Sequence, residues 1–178
     1  MLASLAALAL SACDRRDPTA HGSRAAPTQN VITIGVGIGA CPDISICERE
    51  CDGGSSDRCR RLAASYAFGQ GVAKDEARAA VLYEHACDMG DAPSCMFAGQ
   101  QYEFAHGVSK DAGEAVRFYR RACDIGWAPG CYNLAIMFEL GRGVGADSTA
   151  ARDLYRAACS GGVHEACDKA AEVARTGP

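Results

Sequence analysis

From Cys51 onward the apolar and polar positions of the chain repeat every 36 residues without a gap. Each unit opens with a cysteine and carries a second cysteine eight residues later, at Cys51 and Cys59, Cys87 and Cys95, Cys123 and Cys131, and Cys159 and Cys167. Glycine, tyrosine and alanine recur at other fixed positions, as at Gly90, Tyr119 and Ala122 in one unit. A period of this length is typical of stacked supersecondary units.

Within each unit the apolar spacing predicts two helices. The second helix has its apolar residues at i, i+3, i+4 and i+7, which is one face of a helix with 3.6 residues per turn: Ala79, Leu82, Tyr83 and Ala86. The first helix has the same spacing at Cys59, Leu62, Ala63 and Tyr66. Glycine-rich turns separate the two helices, and an aspartate in position to act as N-cap follows each turn, at Asp75, Asp111 and Asp147. The pattern therefore predicts an all-α helix-turn-helix solenoid.

The spacing of the cysteines restricts how they can pair. Residues eight apart on one continuous helix are about 12 Å apart, whereas a disulfide needs Cα atoms within about 7 Å. The glycine three residues after each first cysteine can end a helix, and Pro93 and Pro129 fit the first turn of the next one. We therefore predict a disulfide at each helix reversal, joining Cys51 to Cys59, Cys87 to Cys95, Cys123 to Cys131 and Cys159 to Cys167.

The cysteines before the first full unit form the fifth predicted bond. Once the eight repeat cysteines are paired and Cys13 is set aside, Cys41 and Cys47 remain, and they are predicted to bond to each other. A separation of six residues is nevertheless awkward within an unbroken helix. Residues 41–50 are predicted to form a truncated helix that caps the array, and the single helix of the last unit is predicted to be a polar C-terminal cap. Metal binding is the alternative for these thiols, but zinc sites favour cysteines two to four apart in converging clusters. No metal or other cofactor is predicted.

These residues resemble the Sel1-like repeat family, relatives of the tetratricopeptide repeats, over residues 51–178. The subclass with a cysteine pair in each unit resembles the Helicobacter cysteine-rich proteins. One complete unit of the pattern consists of Cys87, Gly90, Cys95, Tyr102, Gly107, Val108, Asp111, Ala115, Tyr119 and Ala122. The resemblance implies a disulfide-stapled α/α solenoid whose first helices line a concave face.

The same resemblance implies a protein or peptide partner bound on that concave face. By analogy with tetratricopeptide grooves, the predicted binding residues are Arg60, Met96, Gln100, Glu103, Tyr132, Ile136 and Glu139. A solvated helix face with no ligand is the alternative for each of them.

The family also suggests a second function, a β-lactamase or a protein that binds penicillin or peptidoglycan peptides. A serine β-lactamase uses an S-x-x-K motif, which none of the three lysines completes. The four histidines occupy unrelated positions, so no zinc cluster is visible either. The sequence therefore identifies no catalytic residue.

The N-terminal part of the chain differs from the repeats in pattern. Residues 1–12 are non-polar and end in Leu-Ser-Ala before Cys13, which resembles the bacterial lipobox with Cys13 as the lipidated residue. A plain signal peptide or no export are the alternatives. Residues 13–40 are predicted to be a flexible tether with a short extended segment, because 31–40 alternates apolar residues with Gly or Thr.

Composition and charge narrow the class of protein. The 178 residues contain 11 cysteines and carry a net charge of -4. Removing Cys13 leaves an even number of cysteines, which fits an oxidising compartment. The acidic balance argues against nucleic acid as a partner. We therefore predict an exported lipoprotein, facing the periplasm or the cell surface, that acts as a binding scaffold in the cell envelope.

Overall fold

The computed structural model describes residues 39–176 of the chain. In that range the chain forms eight helices and no strand: α1 (Ile44–Asp52), α2 (Ser56–Phe68), α3 (Glu76–Asp88), α4 (Ala92–Phe104), α5 (Ala112–Asp124), α6 (Ala128–Leu140), α7 (Ser148–Ser160) and α8 (His164–Thr176). Helices α2 and α3, α4 and α5, and α6 and α7 form three successive helix pairs, called here pairs one, two and three. The prediction of an all-α solenoid with a period of 36 residues is confirmed.

Each helix packs mainly on the helices before and after it in the chain, and α4 also contacts α6. A tyrosine in the second helix of each pair lies at the centre of the core, at Tyr83, Tyr119 and Tyr155. Alanines on the same helices are fully buried, so neighbouring helices approach closely. The buried apolar residues form two large clusters along the stack, and partly buried Cys123, Phe138 and Leu154 pack against both.

Capping and turn residues set the helix ends. The carboxylates of Asp75, Asp111 and Asp147 accept hydrogen bonds from backbone N–H groups in the first turns of α3, α5 and α7, as predicted. Gly90 adopts a φ of +88° just past the end of α3, a conformation that a residue with a Cβ rarely takes. Local sequence therefore determines where each helix starts and stops.

One glycine position also brings successive pairs together. Gly107 has a φ of +73°, and a Cβ placed on it would overlap the backbone of Glu76 and Ala77 at the start of α3. Gly143 stands in the same relation to Ala112 at the start of α5. The turns of pairs two and three are thus in backbone contact with the second helix of the pair before them.

Five disulfides form between residues 39 and 176, and four of them close helix junctions. The four bonds with a separation of eight join the end of one helix to the start of the next, with Cα–Cα distances of 4.5 to 4.9 Å. Cys41 is bonded to Cys47 with a Cα–Cα distance of 6.1 Å. Cys41 precedes α1, whose N-cap is Asp43, so the bond does not span a continuous helix. The disulfide-stapled architecture is confirmed.

The N-terminal predictions fall outside the described residues. These are the signal segment 1–12, lipidation of Cys13 and, of the extended segment predicted at 31–40, residues 31–38. The predicted cap at 41–50 contains most of α1, and the described chain before α1 is anchored where the Cys41 N–H donates to Ser65 Oγ at 3.0 Å. Among the helices between residues 39 and 176, none has the length and apolar character that crossing a bilayer needs.

Candidate binding site

The predicted groove positions are less exposed than the sequence suggested. Met96 and Tyr132 are 0% and 1% exposed, and Gln100 and Glu103 are also buried. The expectation that these four side chains are free on a surface is wrong. Tyr132 is held by packing, with its ring edge-on to Tyr155 at a centroid distance of 5.5 Å.

The remaining predicted groove residues are partly exposed. Arg60, Ile136 and Glu139 have intermediate exposure, which leaves them partly accessible. No single surface presents all seven predicted residues, since four of them are buried and three are partly accessible. The predicted residues therefore do not form one continuous binding face.

A tyrosine–glutamate contact recurs inside pairs two and three. Tyr119 Oη donates to Glu103 Oε2 at 2.7 Å, which links α5 to the end of α4. Glu103 Oε1 also lies 3.4 Å from Nη1 of Arg142, a residue of the next turn along the chain. In pair three the Tyr155 hydroxyl donates to Glu139 in the same way. Burial raises the pKa of Tyr119 well above its ordinary value, so the phenol stays protonated as a donor.

Pair one departs from this arrangement, because Ala67 stands 36 residues before Glu103. A cavity of about 380 Å³ lies where the missing side chain would project, and Ala67 and Tyr83 both line it. Its size is within the range of small-molecule and side-chain pockets. The cavity lies at the junction of pairs one and two, since α4 and the turn after it supply further walls.

Aromatic rings form much of the cavity wall. Phe68, Phe97 and Phe104 line it, and the Phe97 ring packs on Tyr83 at a centroid distance of 5.1 Å. Phe68 is 65% exposed, so the rim of the cavity presents an apolar side chain to solvent. This ring extends the apolar wall of the cavity to its mouth.

Polar side chains occupy the other wall. His106 lies 4.0 Å from Glu76, measured from Nδ1 to Oε1. Lys74 Nζ lies 2.6 Å from the same carboxylate oxygen, and this contact lowers the pKa of Glu76. Glu76 is therefore ionised but neutralised by Lys74, while His106 and Gln100 add hydrogen-bonding capacity to the lining.

A second tyrosine series lies outside the cavity. Tyr66 Oη donates to Glu48 at 3.2 Å, and Tyr102 Oη donates to Glu84 at 2.9 Å. In pair three the corresponding residues are Phe138 and Arg120, and the guanidinium lies over the phenylalanine ring at 5.7 Å from its centroid. The acceptor is thus replaced by a cation where the donor is lost, which keeps the two helices in contact.

Among residues 39–176, no cluster of three metal-ligating side chains lies at the cavity. Between residues 39 and 176, one trio of metal-ligating side chains is close together, Cys51, Cys59 and His85. Its two sulfurs already form a disulfide, so they are unavailable as thiolates. The residues lining the described cavity include no serine or cysteine. What they offer is hydrogen bonding, aromatic contact and charge.

The fold and the site show that this protein is a disulfide-closed α/α repeat solenoid with a cavity between neighbouring pairs. Sel1 repeats match residues 59–91, 92–127 and 128–163, which together make up more than half of the chain. The chain therefore belongs to the Sel1 repeat family, as the sequence pattern indicated. Repeats of this family are scaffolds, typically for protein–protein interaction.

Solved structures agree with this assignment. A Sel1 repeat protein from Oxalobacter formigenes is 29% identical with a TM-score of 0.65, over 69% of this chain and 50% of that protein. Helicobacter pylori cysteine rich protein B is 25% identical with a TM-score of 0.57, over 70% of this chain and 90% of that one.

A third structure shares the fold alone. It is a protective antigen present in uropathogenic Escherichia coli strains that displays an SLR fold, with 24% identity and a TM-score of 0.67, over 70% of this chain and 27% of the antigen. The chain thus matches only half or less of the length of the Oxalobacter and Escherichia proteins. The search of curated proteins found no match.

Of the seven predicted binding residues, Gln100 alone lines the cavity, and reasoning from the sequence missed the other lining residues. Ala67, Glu103 and Glu139 stand in one row of the repeat, so the alanine was visible as the odd member. Its meaning depends on Tyr83, 16 residues away, and on His106, 39 residues away, which the fold brings to the same place.

Proposed function

We propose that this protein is a binding scaffold for a protein or peptide partner in an oxidising part of the cell envelope. The observation that carries the proposal is the aromatic-lined cavity held between two helix pairs whose junctions are closed by disulfides. A rigid array loses little conformational entropy on binding, which favours recognition of a flexible peptide.

The disulfides indicate an exported protein, because such bonds persist in oxidising compartments and are rare in the cytosol. Likeness to the Helicobacter cysteine-rich protein supports export as well. We propose that Cys13 carries lipid and holds the scaffold at a membrane. Several acyl groups would be needed for stable anchoring, since one alone binds a bilayer only marginally.

Intact mass of the native protein, with and without reductant and alkylation, tests export and anchoring together. We expect ten cysteines to alkylate only after reduction, which corresponds to the five disulfides. We also expect an added lipid mass that maps to Cys13. A free thiol at Cys13 with no lipid mass would refute the anchor and leave the scaffold to be tested separately.

Capture from envelope extract tests the scaffold. The oxidised protein and the reduced, alkylated protein serve as matched baits, and bound proteins and peptides are quantified by mass spectrometry. We expect one defined partner that the oxidised bait retains and the reduced bait loses. Equal recovery by both baits, or no partner at all, would contradict a role that depends on the stapled fold.

A further inference from the structure

The three helix pairs differ at one carboxylate position. Pairs two and three place Glu103 and Glu139 against the tyrosine of the next helix, and each tyrosine donates to the glutamate. In pair one Ala67 replaces the glutamate and Tyr83 remains. The cavity of about 380 Å³ therefore opens on the place that a carboxylate fills elsewhere in the same protein.

The donors around that place are left without their carboxylate. Tyr83 is 2% exposed and lines the cavity, and no hydrogen bond of its hydroxyl is found among residues 39–176. The hydroxyl is not among the fully enclosed polar atoms that lack a partner, so it faces the cavity and can donate to an acceptor bound there. Burial raises the pKa of Tyr83, which keeps the hydroxyl protonated and able to donate.

His106 occupies the position that Arg142 holds one repeat later. Since Arg142 contacts Glu103, the repeat places His106 against the empty carboxylate position, and His106 does line the cavity. A second donor is thus retained where the acceptor has been lost.

The charged side chains near the Tyr83 hydroxyl also differ between pairs one and two. Arg60 stands where pair two has Met96, and its positive charge acts on the Tyr83 hydroxyl. Arg60 is paired with Asp57 and Asp91, the latter at 3.2 Å, yet its buried Nη1 has no hydrogen-bond partner. Pair one has therefore lost an acidic side chain beside this hydroxyl, and the nearby Arg60 guanidinium is itself balanced by Asp57 and Asp91.

We propose that this cavity binds a carboxylate of the partner, either an acidic side chain or a free C-terminus, which accepts from Tyr83 and faces His106. The proposal rests on the scaffold function and specifies its ligand chemistry. The only carboxylate in the lining, Glu76, is neutralised by Lys74 and does not oppose an incoming anion. Phe68, Phe97 and Phe104 select a ligand whose carboxylate adjoins an apolar group.

Small probes test the site with the full-length oxidised chain. N-acetyl-phenylalanine represents a C-terminus, with its amide as the neutral control. N-acetyl-glutamyl-phenylalanine amide represents an acidic side chain, with the glutaminyl compound as its control. In an amide-shift NMR titration we expect one of the two acids to bind with a dissociation constant on the order of 1 mM and to shift the amides of Ala67 and His106.

Two single-group variants test the donors. Tyr83→Phe keeps the ring that packs on Phe97 and should weaken binding of the acid about tenfold, because a hydrogen bond to a charged group is lost. Tyr66→Phe is the matched control, since its hydroxyl donates to Glu48 away from the cavity. It should leave binding unchanged. His106→Arg should tighten binding, because it restores the arginine of the next repeat.

Filling the site from within gives a measurement that needs no ligand. Ala67→Glu recreates the glutamate of pairs two and three, whereas Ala67→Gln adds the same volume without charge. We expect the melting temperature of Ala67→Glu to exceed that of Ala67→Gln by about 2–4 °C, which is the excess of a charged over a neutral hydrogen bond, because the glutamine oxygen can also accept from Tyr83. Both variants should lose probe binding.

The outcomes separate this site from the scaffold function. Equal binding of acid and neutral probes, unchanged binding by Tyr83→Phe, or a lower melting temperature for Ala67→Glu than for Ala67→Gln would overturn the carboxylate site. If the probes bind as expected but envelope extract yields no partner, the scaffold function fails and the site stands. If the captured partner is retained equally by Ala67→Glu, that partner does not use this site and its assignment as the partner's carboxylate pocket is wrong.

Discussion

Replacing Gly107 with alanine tests how closely successive helix pairs approach. Gly107 has a φ of +73°, and its α-carbon lies so near the start of α3 that a Cβ would overlap the Glu76 carbonyl and the Ala77 nitrogen. Gly71 is its equivalent one repeat earlier, with a φ of +77°, but a Cβ there meets only Ile44 side-chain atoms at 3.9 Å or more. The two glycines share a backbone conformation and differ in space.

This difference separates the free-energy cost of the left-handed backbone conformation from the cost of the steric overlap. Alanine in the left-handed conformation costs roughly 1–2 kcal/mol, partly offset by the lower entropy of the unfolded chain. Gly71→Ala should therefore lower the free energy of unfolding by about 1 kcal/mol. Gly107→Ala adds overpacking against backbone, which typically costs about 1–3 kcal/mol. We expect Gly107→Ala to lose about 2–4 kcal/mol in total.

Thermal and urea unfolding followed by circular dichroism, with the disulfides intact, measure both variants. Each kcal/mol corresponds to about 2–4 °C in melting temperature for a chain of this size. Gly107→Ala should melt clearly below Gly71→Ala. If the two variants lose the same stability, backbone contact between successive pairs is not what requires glycine in this turn.

Two further outcomes follow from the staples and the tyrosines. The double variant Cys87→Ala, Cys95→Ala should lose about 2.5 kcal/mol for its closed loop of roughly nine residues; unchanged urea unfolding would show that this junction is held by packing alone. Burial and the hydrogen bond to Glu84 raise the pKa of Tyr102 to about 12. The neutral phenol therefore stabilises the fold fully below pH of about 10, the unfolded value, and this contribution is lost as pH rises towards 12. Tyr102→Phe should reduce the fall in stability between pH of about 10 and 12, and an identical fall would remove Tyr102 as its cause.

Most of the fold was predictable because its signals are local. Asp111 caps the helix that begins at the next residue, and Cys87 bonds to a cysteine only eight residues away. Gly90 takes its positive φ whatever packs nearby, since no atom would meet a Cβ built there. Such features need only a short stretch of chain, and the 36-residue repeat presents each of them several times.

The candidate site was only partly predictable. The sequence placed Met96 and Tyr132 on an open face because tetratricopeptide helices expose those positions, but here both side chains are buried. Glu103 was expected to be a ligand contact and instead accepts from Tyr119 inside the protein. Helical periodicity gives the direction of a side chain on its own helix and does not say which neighbouring helix covers it.

By itself, then, the sequence determined the number and ends of the repeated helices, the turns and the cysteine partners, because hydrogen bonds and disulfides across short separations enforce them. Only the tertiary structure decided which groove positions are closed and that Ala67 leaves a cavity beside Tyr83 and His106. That cavity is bounded by three segments from two repeats. Its existence depends on how far apart packed helices stand, and no local pattern encodes that distance.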